Sequence, residues 1–169
     1  LAASALAEAV RPGVARARRA LFAAWLSFSL PLLLLPAWAL VALVPGRRFA
    51  FALSRFVARA GLRLLGCRLD VEGLERLPRR GPLVLAANHA SYADVAALLA
   101  LLPADFLFVA KREVLGYPLI GTFARRCGHL TVDRWDALQS VADADLVARA
   151  LRDGEDVLFF PEGTFDEVP

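Results

Sequence analysis

Cysteine and histidine are both scarce in this sequence, with two of each among 169 residues. Cys67 and Cys127 are far apart, so neither a disulfide framework nor a cysteine metal site can be built from them. A histidine and aspartate metal site is also unsupported, because only His129 could join His89 in a ligand set. The sequence therefore predicts two reduced thiols in a cytosolic environment, no metal site and no cofactor.

A serine within a G-x-S-x-G turn, which carries the nucleophile of many hydrolases, is missing as well. The chain also shows no internal repeat and no low-complexity linker. Its length suffices for one domain with a sizeable core and is too short for two ordinary ones. We therefore look for a single catalytic unit without a serine nucleophile of this type.

Hydrophobic residues are abundant, at 58% of the chain, and the mean hydropathy of +0.52 exceeds that of usual soluble domains. Residues 1 to 80 contain 13 arginines against 4 acidic residues, whereas residues 81 to 169 contain 7 basic against 13 acidic ones. Because the arginines flank an apolar segment, an anionic lipid surface is favoured over nucleic acid as the partner. The composition predicts a globular domain attached to a membrane.

The apolar segment comprises 24 residues without a charge, from 21 to 44. As a helix it would be about 36 Å long, enough to cross a bilayer core of about 30 Å. Pro31 and Pro36 are expected to disrupt that helix, and arginines lie on both sides of the segment. Both a membrane span and a hairpin that returns to the cytosolic side therefore stay open.

Residues 47 to 65 predict a second, basic and amphipathic helix. Its arginines follow spacings of seven, four and four, and its apolar residues line another face: Arg48, Arg55, Arg59 and Arg63, with Phe49, Leu53 and Phe56. Such a helix could lie on the membrane with its arginines at the lipid phosphates. The alternative is that it packs on the protein's own core.

After Gly66 the pattern changes to short apolar runs separated by turn residues, with helical stretches between several of them. The predicted strands are 67 to 72, 82 to 87, 105 to 110, 128 to 132 and 156 to 160, and the predicted helices are 92 to 101 and 137 to 152. This alternation is typical of an α/β fold with a mixed sheet flanked by helices. We expect membrane-associated helices over 1–66 and a catalytic domain over 67–169, with the C-terminal part of the fold missing from this piece of a longer protein.

Residues 88 to 94 (NHASYAD) lie between a predicted buried strand and the start of a helix, where α/β proteins bind ligands. Ser91 is a suitable N-cap, and Asp94 follows three residues later. If both were helical, His89 and Asp94 would lie about 140° apart. They can pair only if His89 is in the preceding loop, where Asp94 would fix its tautomer and His89 would take a proton from a substrate hydroxyl. The alternative is a buried structural histidine beside a simple helix cap.

Two further strand ends carry polar groups. In residues 160 to 164 (FPEGT), Gly163 would allow backbone N–H groups to converge on an anion such as a phosphate. In residues 128 to 134, Arg134 could bind a phosphate through its guanidinium, and Lys111 follows another strand. Ordinary turns and surface solvation would explain each of these groups alone, so only their combination indicates a binding site.

Together these motifs resemble the lysophosphatidic acid acyltransferase family over residues 67 to 166. The resemblance is carried in order by Asn88-His89-x4-Asp94, by Lys111 with Glu113, Pro118 and Gly121, by 128–134 and by 160–164. It implies an α/β acyltransferase fold, with His89 as general base and Asp94 as its orienting partner. The residues that it implies in substrate binding are Asn88, Lys111, Arg134, Glu162, Gly163 and Thr164.

The resemblance also implies an acyl donor, either acyl-CoA or acyl carrier protein, and a lysophospholipid acceptor, with 1-acyl-glycerol-3-phosphate giving phosphatidic acid. The active site would lie at the cytoplasmic face of the cell membrane. The chain departs from the family where Phe165 and Asp166 replace the usual Arg and Ser. This keeps lyso-ornithine lipid and lysophosphatidylethanolamine open as acceptors. A lipid-binding module without catalysis and a thioester or lipid hydrolase remain as alternatives.

Overall fold

In a computed structural model of the chain, the N-terminal region forms one long helix, α1 (Ala2–Leu43). The structure describes residues 2 to 78, 81 to 132 and 137 to 162, with side chains described from residue 13 onward except at 137 to 142. The expected disruption by Pro31 and Pro36 is wrong, because a proline removes a hydrogen bond and can bend a helix without ending it. No hairpin turn lies within this described helix.

The part of α1 from residue 13 to 43 is long and apolar enough, by length and composition, to cross a membrane. Its N-terminal portion exposes large apolar side chains, among them Leu21 at 71% and Phe28 at 71%. Its C-terminal portion contacts the rest of the chain, where Trp38 Nε1 donates to the hydroxyl of Thr122 at 3.1 Å. α1 is therefore attached to the folded domain through its C-terminal portion, while exposed apolar side chains continue along the helix as far as Leu43, at 80%.

The remaining elements follow in chain order. They are α2 (Arg47–Leu64), β1 (Val84–Ala86), α3 (Ala93–Leu101), β2 (Phe106–Lys111), α4 (Pro118–Cys127), β3 (Leu130–Val132), α5 (Ala137–Arg152) and β4 (Asp156–Phe159), with short 3₁₀ turns at Leu74–Arg76 and Arg112–Gly116. Residues 67 to 72 are exposed and do not form the predicted strand. A strand needs a partner to satisfy its backbone groups, and none pairs with this segment in the described part of the chain.

The four strands pair in parallel in the order β1-β4-β2-β3, so β4 is inserted between the first two strands of the chain. Successive residues of the central strands face opposite sides of the sheet. Phe106 and Phe108 contribute to one apolar cluster with Leu158, while Leu107 and Val157 belong to another. The alternation has the period of two that a strand imposes, and it gives a sheet that is apolar on both faces.

α2 packs against α1, α3 and α4 through a stripe of buried residues at helical spacing. The buried residues are Ala50, Phe51, Ser54, Ala58 and Leu62. The predicted apolar face is divided between two environments, because Leu53 packs against the core whereas Phe56 is 60% exposed. A period of 3.6 marks amphipathicity, but small residues such as alanine decide here which side approaches the neighbouring helices closely.

Two of the four arginines predicted to face lipid phosphates contact the protein instead. Arg55 forms an ion pair with Asp105 at 2.7 Å, and Arg59 Nε donates to the carbonyl of Ala100 at 2.8 Å. Ala100 is in the last turn of α3, where a cation complements the partial negative charge of the helix end. These contacts connect α2 to the end of the helix that carries Asp94.

α4 is absent from the helices predicted above, although the sequence carries signals for both of its ends. Pro118 occupies its first turn, and Gly128 follows its last residue with φ 76°, the left-handed conformation that favours glycine. Gly121 lies so close to the preceding turn that an added Cβ would be 2.5 Å from the carbonyl oxygen of Leu115. The buried face of α4 consists of small residues, Gly121, Ala124 and Cys127, so it lacks the large apolar residues that usually mark a helix.

His129 is a structural histidine of the core. Its ring meets the edges of Phe51 and Phe108, with centroids 5.6 Å and 5.2 Å away, and its Nδ1 accepts the N–H of Phe108 at 3.3 Å. Burial, together with the charge of Arg47, lowers the pKa of His129 to about 4. The neutral imidazole is therefore the form that the fold accommodates.

This histidine should make the protein lose stability in mild acid. Its pKa is 6.5 in the unfolded chain and about 4 in the fold, so its full contribution is present above pH 6.5 and is lost as the pH falls toward 4. The loss amounts to about 3 kcal/mol. Urea unfolding in detergent, followed by circular dichroism, should show this loss in the native chain and not in His129→Gln. Parallel pH profiles for the two proteins would contradict the assignment.

Candidate functional site

The candidate site lies where β1 and β4 end side by side. Because the two strands are parallel, with Ala86 opposite Phe159, the segments that follow them leave the sheet at the same edge. The pairing extends by one residue, since the N–H of Ala87 donates to the carbonyl of Phe159 at 3.1 Å. The sheet thus brings residues 88–94 against residues 160–162, although some 70 positions separate them in the chain.

His89 and Asp94 form the pair that their spacing predicts. His89 is in the loop before α3, and its Nδ1 lies 3.1 Å from Asp94 Oδ2. The same oxygen accepts the backbone N–H groups of Ala90 at 2.7 Å and Ser91 at 2.8 Å. The Oγ of Ser91 in turn accepts the N–H of Ala93 at 3.1 Å. Asp94 therefore organises the loop and the first turn of α3 around the imidazole.

The environment of Asp94 keeps its carboxylate ionised. Partial burial raises the pKa of Asp94, but the N–H groups of Ser91 and Ala90 and the imidazole of His89 lower it by more, so that it lies below its ordinary value. An ionised carboxylate at Nδ1 favours the tautomer with its proton on that nitrogen. Nε2 is then the basic nitrogen of the ring, as the transfer of a proton from a substrate hydroxyl requires.

The end of β4 makes two further contacts with His89. The backbone N–H of His89 donates to Glu162 Oε2 at 2.7 Å. The ring of Phe160 stacks on the imidazole, with centroids 3.9 Å apart and planes 18° from parallel. Sequence reasoning assigned Glu162 to the substrate and gave Phe160 no role of its own. The one signal in the sequence for these two contacts is that Phe160 and Glu162 follow a predicted strand, whose end can lie beside the end of another strand.

The other predicted site residues lie at different distances from this centre. Asn88 is exposed and directly precedes His89, while Lys111 is the partly buried last residue of β2, the neighbour of β4. Lys111 therefore lies at the same edge of the sheet as the loop that contains His89. The remaining predicted residues, Arg134, Gly163 and Thr164, lie outside the described residues.

Comparisons with known proteins agree with the motifs. A family model described as Acyltransferase matches residues 68 to 167. The chain is 40% identical over 112 residues to a lyso-ornithine lipid O-acyltransferase of Rhizobium meliloti, a match that covers 66% of this chain and 37% of that protein. It is 35% identical over 98 residues to a chloroplastic 1-acyl-sn-glycerol-3-phosphate acyltransferase of Arabidopsis thaliana, covering 57% of this chain and 27% of that one.

The fold has a solved counterpart in the 1-acyl-sn-glycerophosphate acyltransferase of Thermotoga maritima. The two structures superpose with a TM-score of 0.68 at 21% identity, over 88% of this chain and 62% of the other. The predicted α/β acyltransferase fold is thereby confirmed. The matches span 37% of the length of the first of these curated relatives and 27% of the second. With its family model matched over more than half of its residues, the chain belongs to the acyltransferase family.

Proposed function

We propose that the protein containing this chain transfers a fatty acyl group from a thioester to the free hydroxyl of a lysolipid. The observation that carries the proposal is the His89–Asp94 pair at the carboxyl end of β1, with the carboxylate at Nδ1. Nε2 of His89 takes the hydroxyl proton as the alcohol oxygen attacks the thioester carbonyl. The C–S bond then breaks, and the thiolate leaves with the proton from the imidazolium, giving an ester and a thiol.

The reaction needs no covalent acyl-enzyme, because the acceptor alcohol itself is the nucleophile. Asp94 stabilises the imidazolium that forms during attack, and its own hydrogen bonds to Ala90 and Ser91 hold it in place. The donor is acyl-CoA or acyl carrier protein. Lys111, at the end of β2, and Arg134 are the cations assigned to an anionic headgroup or donor phosphate.

The first acceptor candidate is 1-acyl-glycerol-3-phosphate, which would give phosphatidic acid. Its anionic headgroup suits the two cations, and several similar proteins carry the corresponding name.

The second candidate is a lyso-ornithine lipid, and two observations favour it. Phe165 and Asp166 stand where the related acyltransferases commonly have Arg and Ser, so a cation is replaced and a carboxylate is added. A carboxylate complements the ammonium group of ornithine and repels a phosphate. In addition, the proteins named lyso-ornithine lipid O-acyltransferase in Rhizobium meliloti and Pseudomonas aeruginosa are 40% and 39% identical to this chain over the matched regions.

Mass spectrometry of the products should decide between the acceptors. The full-length parent protein would be incubated in membranes with acyl-CoA or acyl carrier protein and, separately, with lysophosphatidate, lyso-ornithine lipid and lysophosphatidylethanolamine. A diacyl product names the acceptor and supports the proposal. Release of thiol without any lysolipid would identify a hydrolase, and absence of product with every acceptor and both donors would favour a lipid-binding module.

We further propose that α1 inserts into the membrane and that the site faces the cytoplasm, where both thioester donors occur. The chain offers a direct test, because Cys67 is exposed and Cys127 is buried. A membrane-impermeant maleimide should label Cys67 in inside-out vesicles and not in right-side-out ones, and Cys67→Ser should abolish the labelling. Labelling of Cys67 in right-side-out vesicles and not in inside-out ones would place the site on the opposite face of the membrane.

A further inference from the structure

Three contacts among the described residues hold His89, two at its imidazole and one at its backbone. Asp94 contacts its Nδ1, Phe160 covers one face of its ring, and Glu162 accepts the N–H of its backbone. The first contact is local, five residues along the chain. The other two come from the end of β4, which is paired on both sides, with β1 and β2. One of the two central strands of the described sheet therefore leads into both of the long-range contacts.

From these contacts we infer that Glu162 and Phe160 position the general base, and that Glu162 does not hold a phosphate headgroup of the acceptor. The inference rests on the proposed function of His89. It differs from the role that the family resemblance implies for Glu162, which is to help hold a glycerol phosphate.

Electrostatics supports this assignment. A carboxylate repels a phosphate, so Glu162 is unsuited to the direct binding of an anionic headgroup. Its Oε2 already accepts the N–H of His89 at 2.7 Å, a charge-assisted hydrogen bond. That N–H lies in the loop between β1 and α3, outside the ladder of the sheet. Glu162 thus supplies a partner that regular secondary structure does not.

Stacking on Phe160 restricts the movement of the His89 imidazole toward one of its faces. With its centroid 3.9 Å from that of Phe160, the imidazole cannot turn toward this side without losing the contact. Phe160 itself packs near Phe108 of β2, at 6.4 Å between ring centroids. A general base must lie within hydrogen-bonding distance of the proton it removes, and small displacements cost large factors in rate. The β4 end therefore contributes to catalysis by restricting His89.

Paired substitutions at Glu162 separate positioning from headgroup binding. Glu162→Ala should lower kcat about 100-fold and leave the KM for the acceptor within a factor of about two, because the misplaced base slows chemistry and not binding. Glu162→Gln retains an oxygen that can accept the N–H of His89, so its kcat should stay within about tenfold of the native value. A large increase of the acceptor KM in both variants would overturn the inference.

A second measurement does not depend on activity. This chain has two histidines, so His129→Gln leaves His89 as its only source of imidazole NMR signals. In that background, Phe160→Leu should remove the upfield ring-current shift of the His89 ring protons, and Glu162→Ala should move the His89 amide resonance. Unchanged resonances in both variants would overturn the positioning role, whether or not a product is found. If no diacyl product forms, the proposed function is contradicted, but the NMR measurement still tests the contacts of His89 with Phe160 and Glu162.

Discussion

Replacement of His89 by alanine should lower the turnover of acyl transfer by a factor of about 10² to 10⁴, the usual contribution of a general base. The expected loss is in kcat, because His89 is positioned to accept the proton of the attacking hydroxyl. The residue lies in a loop, and its side chain makes no contribution to the sheet ladder. The variant should therefore fold, as circular dichroism and membrane insertion can verify. Turnover would be measured as diacyl lipid formed per enzyme.

The second histidine is a matched control. His129 is packed between Phe51 and Phe108 in the core, so His129→Gln should affect stability and leave turnover per folded molecule within a few-fold at neutral pH. Nearly full activity in His89→Ala would contradict the assignment of the base. Equal loss in both variants would attribute the effect to folding and not to chemistry.

Replacement of Asp94 by alanine should be almost as severe, with turnover lowered by a factor of about 10² to 10⁴. One oxygen of Asp94 accepts hydrogen bonds from the backbone of Ala90 and Ser91 and contacts Nδ1 of His89. Alanine removes both the oxygen that accepts the hydrogen bonds of the loop and the negative charge that stabilises the imidazolium. Thermal unfolding measured beside kcat shows how much of the loss comes from the weakened start of α3.

Asp94→Asn separates charge from geometry. All three contacts converge on one oxygen, and the amide oxygen of asparagine can occupy that position, which keeps the loop and the tautomer of His89. Only the negative charge is lost, and a charged hydrogen bond exceeds a neutral one by about 1 to 1.5 kcal/mol. We expect about tenfold lower turnover. A loss equal to that in Asp94→Ala would show that charge, and not the arrangement of the loop, dominates.

The family match and the solved counterpart fix the acyltransferase fold, while the acceptor depends on side chains that vary within it. Proteins named for ornithine lipids and for glycerol phosphate both resemble this chain. We propose that Phe165 and Asp166 contribute to the choice between a headgroup that carries an ammonium group and a phosphate headgroup. A variant with Arg and Ser in place of this pair could be assayed with the same set of lysolipid acceptors.

The sequence by itself determined the local features of this protein. The pairing of His89 with Asp94 follows from a turn between a strand and a helix, where five residues place a loop histidine against a first-turn carboxylate. The helices from 47 and from 137, and the strands at 106 and 156, follow from periodicity and turn residues. These features depend on neighbours within a few positions, which is why the sequence pattern was sufficient to predict them.

Only the tertiary structure decided which strands became neighbours. The contact between Glu162 and His89 spans 73 positions and exists because β4 pairs with β1, an order that no local pattern encodes. Residues 67 to 72 have the pattern of a strand without a partner, and α2 buries the side with Ala50, Phe51 and Ala58 because neighbouring helices contact it. The physical reason is common to all three cases, because hydrogen-bond pairing and burial are set by distant segments that the sequence pattern does not bring together.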